Sequence, residues 1–178
     1  MDDEATMREQ VMATIRQFPG IHLRGLVREL STTTSLARYH LQLLEEQAQV
    51  RAVDLGGFVR YFPRGGDQEV TKEDQQALHV LRQERPLEIA LALLEMGAMQ
   101  HRDLLEVVGG SKGNLTYHLD KLIEGGLVHK VSKGPERGFH LSDADRLRAL
   151  LSKYEPVPDL LAQVSNTWDD LFSGHRRG

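Results

Sequence analysis

The stretch Thr33-Thr34-Ser35-Leu36-Ala37-Arg38-Tyr39-His40-Leu41-Gln42-Leu43-Leu44 occurs twice in this chain in altered form. Seventy-eight positions later it reads Ser111-Lys112-Gly113-Asn114-Leu115-Thr116-Tyr117-His118-Leu119-Asp120-Lys121-Leu122. Aligning residues 22–50 with 100–128 gives eight identities in 29 positions, at Arg24, Leu26, Tyr39, His40, Leu41, Leu44, Glu46, Val50 and their partners. Chance would supply about two. The sequence therefore reads as a tandem duplication, and its 178 residues divide into two modules of roughly 65–80 residues.

In each copy the apolar positions run i, i+4, i+7: Ala37, Leu41, Leu44 and Leu115, Leu119, Leu122. That spacing predicts a helix with one buried stripe and sets Thr34, Ser35, Arg38, Tyr39 and Gln42 on the opposite face. A short amphipathic run, Leu23, Leu26, Val27 and Leu30, precedes it across Ser31-Thr32, with Gly109-Gly110 at the matching place in the second copy. Two short helices joined by a tight turn, the second with a polar N-terminal face, form the helix-turn-helix pattern, whose second helix enters the DNA major groove.

Upstream, Met7, Val11, Ile15 and Phe18 predict a helix over 5–18 that Pro19-Gly20 stops, and Ile89 and Leu93 repeat Val11 and Ile15. Downstream, two β-prone runs, 50–55 and 58–62, flank Gly56-Gly57 as a hairpin. The second copy expects its hairpin at 127–131 and 139–141 around a tip at 132–138. The fold class is mainly α with small β-hairpin wings: two tandem winged helix-turn-helix domains plus C-terminal helices. The expected boundaries are a first module at 1–66, a linker helix at 67–85, a second module at 86–142 and C-terminal helices at 143–178.

Ala-Arg-Tyr-His-Leu-x-x-Leu-Glu at 37–45, with Phe-Val-Arg-Tyr-Phe-Pro closing the wing, resembles winged-helix repressors of the ArsR type, and the whole chain is similar to archaeal regulators built from two such modules. The likeness covers roughly residues 7–153. Tyr-His-Leu in both recognition helices is its most specific part. The first copy departs at Gln47-Ala48-Gln49-Val50, where the family pattern has a Gly-Leu-Val turn like Gly126-Leu127-Val128. Metal sensing is known in the resembled family, which draws attention to His40 and His118. Each adjoins a buried-stripe leucine, however, with no cysteine or paired carboxylate at ligand spacing, so no metal and no cofactor is expected.

Thr71-Lys72-Glu73-Asp74 starts the linker helix, expected to reach about residue 84, and Pro86 suits the first turn of the next. Residues 87–99 are apolar nearly all round, which predicts burial on several sides, between the modules or at a dimer interface. Ser142-Asp143-Ala144-Asp145 opens a helix to about Tyr154, and Glu155-Pro156-Val157-Pro158 breaks it. A last helix over 157–172 carries Leu161, Val164, Trp168 and Leu171 in 3-4-3 spacing, either a homodimer seam or a face that folds back on its own module. Residues 173–178 read as a frayed tail.

The net charge is −4, which works against non-specific DNA affinity, since that affinity comes from neutralising phosphates. The acidity is local: residues 67–84 hold two bases and five acids, whereas 1–66 hold eight of each and 85–142 seven of each. The absence of cysteine excludes disulfides and thiolate metal sites and suggests a cytoplasmic protein. The acidic opening Met1-Asp2-Asp3-Glu4 does not look like a signal peptide, and no apolar run has membrane-spanning length.

Double-stranded DNA is the expected partner. The candidate contacts in the first copy are Thr34, Ser35, Arg38, Tyr39, Gln42 and Arg60. In the second they are Lys112, Asn114, Thr116, Tyr117, Lys121, Lys130, Lys133 and Arg137. Arg38 is the leading candidate for direct readout, because a guanidinium can bond a guanine edge bidentately. Tyr39 and Tyr117, at the stripe's margin, could reach a phosphate or a base edge. Thr33 and Ser111 are N-cap candidates. No nucleophile elbow, phosphate-binding glycine loop or carboxylate pair points to an enzyme; Gly109-Gly110-Ser111-Lys112 lacks the phosphate-loop spacing. The competing expectation is a tandem winged-helix module that binds another protein in a chromosome-organising or transcription-machinery complex, which the acidity favours.

Overall fold

Residues 2–172 are described by a computed structural model, in which the chain forms two units, Met1–His79 and Val80–Gly178. The division falls inside the stretch expected as a linker. Among the described residues no helix is long and apolar enough to cross a membrane.

The first unit comprises α1 (Asp2–Gln17), α2 (Leu23–Glu29), α3 (Thr34–Glu46), the strands β1 (Val50–Leu55) and β2 (Phe58–Pro63), and the start of α4 (Lys72–Leu81). Val11 and Ile15 of α1 meet Leu26 of α2, Leu41 and Leu44 of α3 and Phe62 of β2 in one apolar core. Gly20 turns the chain out of α1 at φ 83°, where an added Cβ would lie 3.3 Å from the Phe62 ring. The next residue bridges the wing: Tyr61 N donates to Ile21 O at 3.0 Å, which fastens β2 to the helices.

β1 and β2 pair antiparallel from Val50↔Pro63 to Leu55↔Phe58, so only Gly56 and Gly57 form the turn. Both have positive φ, 66° and 84°, the geometry that suits a two-residue hairpin to the twist of its strands. Asp54 Oδ1 accepts from Gly57 N at 2.7 Å. Downstream, Thr71 Oγ1 caps α4 by accepting from Asp74 N. The helix stops at Leu81, short of the expected residue 84, because the chain turns extended at Gln83 before the next helix begins.

The second unit comprises α5 (Glu84–Met96), α6 (His101–Val108), α7 (Lys112–Glu124), β3 (Val128–Val131), β4 (Gly138–Leu141), α8 (Ala144–Lys153), α9 (Pro158–Gln163) and α10 (Ser165–Phe172). Its first five elements follow the order of α1 to β2. α7 begins and ends 78 residues after α3, and the bridge Met99↔Phe139 lies 78 residues after Ile21↔Tyr61. The turn leaving each of these helices is closed alike: Gln49 N donates to Leu44 O and Leu127 N to Leu122 O, both at 2.9 Å. The left-handed residue of that turn is Gly126 in one unit, at φ 72°, and Ala48 in the other, at φ 55°. The departure at 47–50 thus keeps the geometry and places a Cβ where glycine is the easier residue.

Within the second unit, α6, α7, β4 and α10 pack against α5, and its Leu87, Ile89, Leu91 and Leu93 are buried. One expectation is corrected. The single C-terminal helix is two, α9 and α10, broken at Val164, and α10 folds back onto α5. Val164 and Trp168 are buried within the unit, Trp168 stacking on Phe172 at 4.3 Å, which is the fold-back alternative and leaves a homodimer seam without its central residues. The expected tail at 173–178 lies outside the described residues.

Candidate nucleic-acid interface

Helix α3 starts where the sequence places a hydroxyl. Thr33 is extended, and its Oγ1 accepts from Leu36 N at 3.2 Å, satisfying one of the free amides of the first turn. Ser111 does the same for α7, accepting from Asn114 N at 3.2 Å. These caps hold the first turns in place. Ala37, Leu41 and Leu44 face inward, and Thr34, Ser35, Arg38, Tyr39 and Gln42 are exposed together on the other side. Gln42 is partly committed, since its Nε2 donates to Glu46 Oε1 at 2.9 Å.

Tyr39 is 47% exposed and sets its ring edge-on to the ring of His40, 5.1 Å away. His40 itself is buried, and neither ring nitrogen has a hydrogen-bond partner. Tyr117 and His118 repeat the pair at 5.0 Å, with Tyr117 55% exposed. Burial holds His118 below its ordinary pKa, and the charges of Lys121 and Arg85 lower it further. Among the described residues no group of three or more His, Asp or Glu could hold a metal ion.

Arg60 departs from expectation. It is 5% exposed, and its guanidinium donates to Gly20 O at 3.2 Å and to His79 Nδ1 at 3.3 Å. Burial lowers its pKa to about 10. Placed on the inner side of β2 with Phe62, it ties the wing to the helices and cannot reach a phosphate. The outer part of that wing presents Phe58 and Val59 instead, both about half exposed.

The second unit carries more positive charge on the corresponding surface. Lys112, Asn114 and Thr116 are exposed on the first turns of α7, and Lys121 lies over the Tyr117 ring at 4.7 Å. Thr116 is engaged locally, its Oγ1 donating to Lys112 O at 2.9 Å and lying 3.0 Å from His101 Nε2. On the wing, Lys130 stands over the Phe139 ring at 5.7 Å, and Lys133 and Arg137 are exposed at the tip. Between α6, the start of α7 and the wing runs a groove of about 470 Å³, lined in part by His101, Arg102, Lys112, Lys130 and Arg137. His101 and Arg102 were not expected there. The signal for Arg102 was its identity with Arg24 in the repeat; His101 replaces Leu23 and left no such trace.

Residues 5–78 match the family model HTH_HVO_0163_N, described as an N-terminal HTH domain. Over those residues the first unit is similar to a helix-turn-helix domain. Such an HTH domain supports DNA as a partner, with α3 in the position of the second helix. The match ends one residue before the first unit does. A solved structure, the DIP2311 protein from Corynebacterium diphtheriae, is similar at 21% identity over 75% of this chain and 26% of that one. The TM-score is 0.29. No curated protein matches the chain.

Proposed function

We propose that the chain is a sequence-specific transcription regulator that binds double-stranded DNA through two tandem winged helix-turn-helix modules, similar to ArsR-type modules. The observation that carries this reading is the face of α3: Arg38, flanked by Thr34, Ser35 and Tyr39, stands outward from a capped helix inside the HTH domain. Such a set can bond base edges and phosphates from one side of a helix. The second unit repeats the element order and adds Lys112, Lys121, Lys130, Lys133 and Arg137, which support a role in phosphate neutralisation. Its modules would act without catalysis, cofactor or metal, in the cytoplasm and as a homodimer.

A second reading is favoured by one specific observation. The first wing has lost Arg60 to the interior and presents Phe58 and Val59, the composition of a protein contact rather than a phosphate contact. In that reading the first unit holds a protein partner in a chromosome-organising or transcription-machinery complex. A mobility-shift assay on genomic fragments over a range of salt separates the two. Retarded fragments that share a sequence and dissociate steeply with salt support the regulator; no retardation at low salt leaves the protein-contact reading.

A further inference from the structure

The groove between α6, α7 and the second wing has cations that the corresponding positions of the first unit lack. Lys112, Lys130 and Arg137 stand on its rim with Arg102, and none of the residues lining it is acidic. Its floor is apolar, formed by Leu105, Val131 and Phe139. Seventy-eight residues earlier, the positions of Lys112, Lys130 and Arg137 hold Thr34, Ala52 and Val59. The three cations are therefore particular to the second unit rather than part of what both units share. Arg102 is partly neutralised by Glu106 at 3.3 Å, and Lys130 is held over the Phe139 ring; Lys112 and Arg137 are exposed.

A groove of about 470 Å³ is the size that takes a small molecule. Several cations around one concavity suit a group of more than one negative charge. A phosphate monoester carries about −1.5 to −2 at neutral pH and offers three acceptor oxygens, where a lone carboxylate offers one charge and two. The apolar floor would then lie against the body of the ligand.

We propose that this groove binds a small phosphorylated ligand, and that occupancy removes Lys112, Lys130 and Arg137 from the DNA-facing surface. The site stands on its own geometry; only the consequence for DNA rests on the regulatory reading. A bound phosphate would compete with backbone phosphates for the same three cations, so the ligand lowers DNA affinity and makes the second unit the sensing one.

Calorimetric titration of the full chain with adenosine monophosphate, and with adenosine as the uncharged probe, tests the site. The expected result is saturable binding of the nucleotide, binding of adenosine at least about tenfold weaker, and a loss of at least about tenfold in the double variant Lys130→Gln, Arg137→Gln. Arg51→Gln, which removes a half-buried cation of the first unit paired with Glu69, should leave nucleotide binding unchanged. No saturable binding, or binding that the double variant leaves intact, overturns the site. A shift assay on the same preparation reads DNA binding separately. A chain that shifts DNA in a manner weakened by the double variant but ignores the nucleotide uses the groove for backbone phosphate alone, and this inference falls while the regulatory reading stands. A chain that binds the nucleotide and shifts no DNA keeps the site and loses that reading.

Discussion

Arg38 and Arg60 carry the same guanidinium to opposite ends. Arg38 stands off the stripe Ala37, Leu41, Leu44 and is exposed; Arg60 lies two residues from Phe62 on the same side of a strand and is buried with it. That alternation was present in the sequence, because residues i and i+2 of a strand share a face, and reading Phe-Val-Arg-Tyr-Phe by its period would have turned Arg60 inward. Replacing Arg38 with alanine should cost about 1–3 kcal/mol on a preferred duplex and relax the preference, whereas Lys133→Ala should weaken all duplexes alike. Affinities on preferred and scrambled duplexes check this, and an unchanged preference in Arg38→Ala would remove it from base readout. Ala48 is the other informative residue. At φ 55° it bears the left-handed cost that Gly126 avoids, so Ala48→Gly should stabilise the first unit by about 0.5–1 kcal/mol after the added freedom of the unfolded chain is subtracted. Urea melts would contradict this by showing no gain. Two histidines contribute to the pH dependence. Burial first and then neighbouring Arg or Lys charges hold His22 and His118 below their ordinary value of 6.5, and His22 Nδ1 accepts from Gly25 N as the cap of α2. Both stay neutral in the folded chain at pH values where the unfolded chain has begun to protonate. The stability they confer is complete above about pH 6.5 and falls as the pH drops below it. Replacing His118 with glutamine should flatten part of that fall, and an unaltered pH profile of the urea midpoint would exclude it.

At the scale of elements, the helices were legible wherever one face is apolar and the other is not. α3 and α7 follow from i, i+4, i+7 spacing, and the first hairpin from Gly56-Gly57, because a two-residue turn with positive φ leaves few other residues possible. What covers a helix that is apolar nearly all round was not legible. Leu87 to Leu94 announce burial on several sides but not by what; part of the answer, α10 folded back on α5, depends on a break at Val164 that the 3-4-3 spacing passes over. The packing assigns Trp168 to the core of the second unit. Trp168→Ala should therefore lower the stability of that unit by about 3–5 kcal/mol without changing the mass measured by light scattering. A halved mass with unimpaired folding would restore the seam.

At the scale of the whole molecule, the charge of −4 argues against DNA only if it is spread evenly. Five acids fall in 67–84, outside α3 and α7, and the cations of the second unit gather around α7 and its wing. Each unit still has few cations to set against phosphates, and its separate affinity should be weak. The proposed function therefore requires joint engagement, in which binding by one unit makes binding by the other intramolecular. The direct test is fluorescence anisotropy of residues 1–83, residues 84–178 and the full chain on one selected duplex at one salt concentration, the cut falling between α4 and α5. The account predicts that the full chain binds about 10²–10⁴-fold more tightly than either unit; a unit that binds as tightly as the whole would contradict it.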